Sequence, residues 1–318
     1  MTKRNGIGFI YFGIVVASLL LRIASSLDVY SALGIADSDT FYSCVVQILI
    51  FGVMPLCLYF LTVVRREGAR VFISDFGIKK IGGKTALLVL ALSVCMIVVS
   101  TGVSFVWQNM LSLMGYVSSS SSTDYYSIGV LFKELAIVAV LPALFEELTH
   151  RGLIYAGYRE CGWKFVLISA LYFALMHQNI RQTGYTFFGG AAMALAMYYT
   201  GSIFPGIFIH FLNNATSVIG DYVRQNGGFL SFINVAEDWI YSSPAGMAVG
   251  VIAVAVCAVL MVLIYYALRK SAVKSGIIDE RPFAPVDVKP AYKDIPFILT
   301  VLLGVGATVF SFAWGLMR

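Results

Sequence analysis

Apolar residues run in long blocks along the chain, and short polar segments separate the blocks. Nine apolar segments can be read, at 7–27, 41–64, 85–107, 129–158, 163–179, 184–200, 203–218, 245–268 and 295–316. A helix needs about 20 mostly apolar residues to cross a hydrocarbon core of roughly 30 Å. The pattern therefore predicts an all-α fold: a polytopic membrane helix bundle of about nine transmembrane helices. The polar run Ser118–Ser122 reads as a loop, and no internal repeat stands out.

Composition agrees with the pattern. The chain is 59% hydrophobic and 12% charged, with a mean hydropathy of +0.84. Soluble domains carry about 25% charged residues, so a water-soluble fold is excluded. Five cysteines (Cys44, Cys57, Cys95, Cys161, Cys257) lack any C-x-x-C spacing and read as small buried hydrophobes. The net charge of +5 says less than its distribution. Most of the 22 basic residues fall in the N-terminus (Lys3, Arg4), loop 65–84, the turn with Arg159 and Lys164, and loop 269–294 (including Arg281). The alternate segments hold only Arg181, Arg224 and Arg318 beside acidic residues such as Asp37, Asp221 and Glu237. Basic loops stay on the cytoplasmic side. Nine spans with a cytoplasmic N-terminus and an outer C-terminus fit this alternation. The first segment has the ingredients of a signal peptide, but its run continues through Arg22 and is read as an uncleaved span.

A charged side chain deep in a bilayer costs about 2.5–3.5 kcal/mol on insertion scales. Such residues gather in one stretch, 129–158, which holds Lys133, Glu134, Glu146, Glu147, His150 and Arg151. Elsewhere only Arg22 breaks a span, near the outer end of the first helix, where it can snorkel. Glu147 and Arg151 stand at i and i+4 on one helical face, a spacing that suits an internal ion pair. Glu146 then points about 100° away. Pro142 removes a backbone donor one turn earlier. Ion-paired packing alone would explain such a cluster.

The histidines alter that reading. His177 and His210 lie in the following apolar spans, and His210 shares a face with Asn214 at i and i+4. Glu146 lies 12 residues above Tyr158, and His177 lies 14 past Trp163. At about 1.5 Å per residue, the two sit within roughly 3 Å in depth, near 20 Å from the cytoplasmic end. Glu146, His177, His210 and Asn214 can therefore face one hydrated cavity. A carboxylate and an imidazole beside one water form a general-base pair, and a second imidazole with an amide suits an oxyanion. The same residues leave a metal reading open: Glu146, His177 and His210 are acceptable Zn2+ ligands with a position left for water. H-E-x-x-H, the helix-borne zinc motif, is absent.

Three motifs on these helices resemble those of the CAAX prenyl endopeptidase type II and bacteriocin-processing family, also called the Abi family. E-E-x-x-x-R is Glu146, Glu147 and Arg151; F-x-x-x-H is Phe173 and His177; H-x-x-x-N is His210 and Asn214. The resemblance implies that Glu146 and His177 activate water, that His210 and Asn214 stabilise the oxyanion, and that Glu147 with Arg151 orients the site. It divides the chain into N-terminal helices 1–128, a four-helix catalytic core 129–218 and a C-terminal region 219–318. The implied protein is an intramembrane endopeptidase, multi-pass in a bacterial plasma membrane. Its substrate is a membrane-associated, in some relatives lipidated, protein or peptide, and no nucleic acid is expected. A non-catalytic immunity or scaffold protein of the same fold is the alternative, and a proton-relaying transporter a third. His150 and Asn213 read as packing or supporting residues.

Overall fold

The computed structural model describes residues 2–118, 123–279 and 289–317. Ser119–Ser122 of the polar run, Arg281 and Arg318 lie outside the described residues. Among those described, helices dominate and no strand occurs. The main helices are α1 (Lys3–Ser26), α2 (Ser38–Glu67), α3 (Gly83–Leu113), α4 (Ile128–Cys161) and α5 (Lys164–Met176). They continue with α6 (Ile180–Thr200), α7 (Phe204–Asn226), α8 (Ser231–Ser242), α9 (Pro244–Lys274) and α10 (Ile295–Leu316).

All nine apolar segments fall in helices. Six of these, α1, α2, α3, α4, α9 and α10, are long and apolar enough to cross a membrane. The count of nine spans is thus not established by length and composition. Segment 163–179 departs most from expectation. Its helix α5 has 13 residues, about 20 Å at 1.5 Å per residue, and is too short to cross a bilayer core. Helix α8 was not foreseen.

Side-chain contacts place the helix ends at two faces of the bundle. At one face Lys3 meets Glu67 at 3.1 Å and also pairs with Asp75, while Arg159 reaches Asp75 at 3.2 Å. Arg4 and Lys289 meet Asp294 at 2.8 and 3.2 Å. The uncharged turn near Gly201 joins them, since Ile203 N donates to the Gly77 carbonyl at 3.0 Å. At the opposite face Lys133 meets Asp37 at 3.3 Å, and Tyr125 N donates to Gln225 at 2.8 Å. Asp37 caps α2, and the hydrogen bonds from Thr40, with Lys133 behind them, hold its carboxyl below the usual range. Among the described residues, Lys3, Arg4, Arg159, Lys289 and the Gly77 turn therefore lie at one end of the molecule.

Helices α4, α5, α6 and α7 form the centre. One side is covered by α1, α2 and α10, the other by α3 and α9. Apolar side chains fill both seams: Ile14, Phe51 and Tyr172 in the first, Leu92, Met96 and Met193 in the second. Helix α9 is the most peripheral span, with Val251, Ile252, Val262 and Leu263 all more than half exposed. An apolar helix stripped of protein cover needs lipid around it.

The short α5 creates a problem that its neighbours solve. It stops at His177, Gln178 takes a left-handed conformation (φ 49°), and α6 begins at Ile180. Backbone groups freed away from water must find partners. Arg22 donates to the Gln178 carbonyl at 2.8 Å, and Trp107 Nε1 donates to that of Ile180 at 2.7 Å. Ile180 N donates to Ser311 Oγ at 3.3 Å, and the Asn179 side chain accepts from Arg181 N at 3.1 Å. Helices α1, α3 and α10 thus hold the turn that carries His177. Arg22 does not simply reach toward solvent.

Candidate active site

Helix α4 supplies most of the polar side chains, and its backbone is irregular around them. Wide turns of the i→i+5 type occur at Leu135–Val140 and Leu148–Leu153, on either side of Pro142. Such turns recur at functional sites. In a regular helix the Val138 carbonyl would accept from residue 142, but proline has no N–H. Asn214 Nδ2 donates to Val138 O at 2.9 Å instead, so α7 is docked onto the gap. The amide is oriented by a short relay: Ser100 Oγ donates to Asn213 Oδ1 at 2.9 Å, and Asn213 Nδ2 to Asn214 Oδ1 at 3.4 Å. Asn213 is therefore a support for Asn214.

Glu147 and Arg151 are both fully buried. Arg151 donates to Glu147 Oε1 at 2.6 Å and to the Gly190 carbonyl of α6 at 3.0 Å. Its guanidinium lies 4.5 Å from the Phe173 ring centroid, a cation–π distance. Gly190 permits this approach: a Cβ there would stand 3.1 Å from Ala170 Cα of α5. The same Glu147 oxygen accepts from His210 Nδ1 at 3.0 Å. Its other oxygen lies against Gly206 of α7, where any Cβ would collide with it. One carboxylate thus ties α4 to α7, and its arginine ties α4 to α5 and α6.

Glu146 faces elsewhere, as the helical offset requires. Gln47 Nε2 of α2 donates to its Oε1 at 2.7 Å, and the second oxygen has no protein partner among the described residues. Glu146 and His177 line one cavity of about 140 Å³, together with Ser18, Arg22, Gln47 and Gln178 among others. His177 Nδ1 lies 2.7 Å from the Phe173 carbonyl. A carbonyl only accepts, so Nδ1 carries the proton and the lone pair of neutral His177 is on Nε2. His150, fully buried, has Nδ1 2.8 Å from the Glu146 carbonyl and Nε2 2.8 Å from Tyr11 Oη. Its Tyr11 partner also donates to the Tyr172 carbonyl at 3.0 Å, so His150 packs the helices together; it does not line the cavity. Phe173 is the hub, its ring 5.0 Å from those of His150 and His177 and 5.7 Å from that of His210.

The four residues expected on one cavity are thus placed in two groups. Glu146 and His177 line it; His210 turns Nδ1 to Glu147, and Asn214 turns to Val138. The donor set does not fit a metal. No three His, Cys, Asp or Glu side chains among the described residues come together as ligands, and no step is assigned to Zn2+. Gln47, Tyr11 and Arg22 were not singled out from sequence as site residues. Gln47 carries a signal that was available: an amide inside the apolar run Val45–Val53.

Apolar helices packed around a carboxylate–imidazole cavity define an integral membrane protein with an enzyme-like site inside the bundle. Residues 129–216 match the family described as Type II CAAX prenyl endopeptidase Rce1-like, and that stretch is what the chain shares with the family. The match spans α4 to α7 up to just past Asn214, under a third of the chain, and takes in every motif residue. Comparisons with curated proteins and with solved structures found no match.

Proposed function

We propose that the chain hydrolyses a peptide bond of a membrane-associated protein or peptide with a water activated by Glu146 and His177. One observation carries the reading: both side chains line the same cavity, and the unprotonated Nε2 of His177 has no hydrogen-bond partner among the described residues. A polar cavity of that size has room for water. Glu146 accepts one water proton through the oxygen that Gln47 leaves free, while His177 Nε2 accepts the other as a hydrogen bond. The oxygen attacks the scissile carbonyl carbon, and the carbonyl electrons move onto its oxygen. Collapse of that intermediate breaks the C–N bond, and the proton taken from water goes to the departing amine.

The oxyanion needs donors, each worth about 3 kcal/mol. Asn214 has a second Nδ2 hydrogen beyond the one given to Val138. His210 gives Nδ1–H to Glu147, so its Nε2 donates only as an imidazolium. Glu147 and Arg151 position His210 and the Phe173 hub and take no part in bond making. The helices outside 129–218 complete the site, since α1 and α2 bring Arg22 and Gln47. The basic end is assigned to the cytoplasm by the positive-inside rule.

The test compares free protein termini in membranes carrying wild type, Glu146→Gln or His177→Ala, at matched protein levels. New termini should appear with wild type and vanish in both variants. Identical termini in all three exclude hydrolysis and leave a non-catalytic binding role for the fold.

A further inference from the structure

The Glu146–His177 cavity is not centred between the two ends of the bundle. Ser18 and Gln47, which line it, stand eight and nine residues from the helix ends Ser26 and Ser38, at the end that carries Asp37 and Lys133. At 1.5 Å per residue that is about 12 and 14 Å, against about 22 and 30 Å to the basic ends of α1 and α2. Helix α5 agrees with this placement. It rises from the basic end, stops at Met176, and leaves His177 and Gln178 on the cavity wall.

The two sides of the cavity differ in kind. Toward the basic end sit Tyr11, His150, Ile154, Tyr158 and Tyr172, all fully buried, with the Tyr11 and Tyr172 rings stacked at 4.4 Å between centroids. A close-packed interior of that sort has no room for a chain or a water path unless the core itself opens. Toward the opposite end the lining is polar and partly exposed: Tyr42, one turn into α2, and Gln182, at the start of α6, with Gln47 and His177 behind them.

We propose that the site is entered from the end opposite the basic one, between Tyr42 and Gln182, so that the substrate presents its scissile bond on the extracytoplasmic side. Its class is then a membrane-anchored polypeptide whose cut segment has been translocated; a cytoplasmic tail would have to thread past the buried rings. The substrate class rests on the hydrolysis reading and on the basic end facing the cytoplasm, but the entrance is tested without either.

The test treats full-length protein in right-side-out and inverted membrane vesicles with a charged methanethiosulfonate, and reads modification at one introduced cysteine by peptide mass spectrometry. Gln182→Cys marks the entrance, and Lys80→Cys marks the other end, where the native side chain is exposed. A charged reagent crosses the hydrocarbon core poorly, so Gln182→Cys should react on the order of tenfold faster or more in right-side-out vesicles, and Lys80→Cys in inverted ones. Tyr42→Cys takes the place of Gln182→Cys if that variant does not reach the membrane. Entrance and basic-end cysteines that react from the same side, or an entrance cysteine that reacts from neither, overturn the proposal. Lys80→Cys reacting from outside and Gln182→Cys from inside would keep the entrance and overturn the outward-facing substrate. Labelled Gln182→Cys protein should also lose most of the processing that the unlabelled variant carries out, beyond any loss in labelled wild type. Processing that continues unchanged would mean entry from lipid between the helices, and overturns the proposal. The expected labelling in a protein whose wild type cleaves nothing would uphold the entrance and remove the hydrolase.

Discussion

Changing Glu146 to glutamine is expected to lower turnover of a membrane peptide substrate by roughly 10²- to 10⁴-fold, the usual contribution of a positioned acid–base group. The substitution is close to isosteric. The carbonyl oxygen of the new amide can still accept from Gln47 Nε2, the one hydrogen bond that holds Glu146 Oε1. What is lost is the basic oxygen that receives the water proton. The effect should fall on kcat with KM little changed, because the carboxylate acts in the transition state and not in ground-state binding. Steady-state kinetics in lipid vesicles, with a melting curve beside them, read both. Full activity in the variant would remove Glu146 from the chemistry.

Arg151→Met should cost about 3–5 kcal/mol of stability, since breaking a buried pair strands the other charge. Both partners are fully buried, and Arg151 also donates to Gly190 O and covers Phe173. The loss spreads to three helices: Glu147 keeps only His210, α6 loses its tie, and the aromatic hub loses its cation. Glu147→Gln combined with Arg151→Met should be less destabilised than Arg151→Met alone, because no uncompensated carboxylate remains. Melting in detergent micelles measures the difference. An Arg151→Met protein that melts with wild type would show that the pair is not a structural support.

The Glu147–Arg151 pair was legible because i, i+4 spacing fixes a shared face whatever the helix packs against. Depth was legible for Glu146 and His177 for a related reason: both count from the same turn at Arg159–Trp163, so rise per residue places them without any tertiary knowledge. Direction was not legible. Which way α7 turns about its axis depends on Gly206 against Glu147 and Asn214 against Val138, contacts that spacing does not encode. Pro142 held the missing clue, since its absent N–H leaves a carbonyl that some donor must fill. The end of α5 was legible only to within a few residues: the apolar segment stops at 179, but nothing in the spacing places the helix end at Met176 or the left-handed residue at Gln178. Gln47 carries no charge to mark it, although an amide in an apolar span also needs a partner. Arg22 was seen and its position read correctly, but its bond to Gln178 depends on α5 being short.

The joint action of Glu146 and His177 on one water is best tested by kcat for Glu146→Gln, His177→Ala and the double variant, measured in vesicles on one substrate. Groups that act as a unit are far from additive. If they share the water, each single change should remove most of the activity and the double variant should be little slower than the worse single one. Losses that multiply, or a single variant that turns over like wild type, would mean that the two side chains do not work on the same molecule.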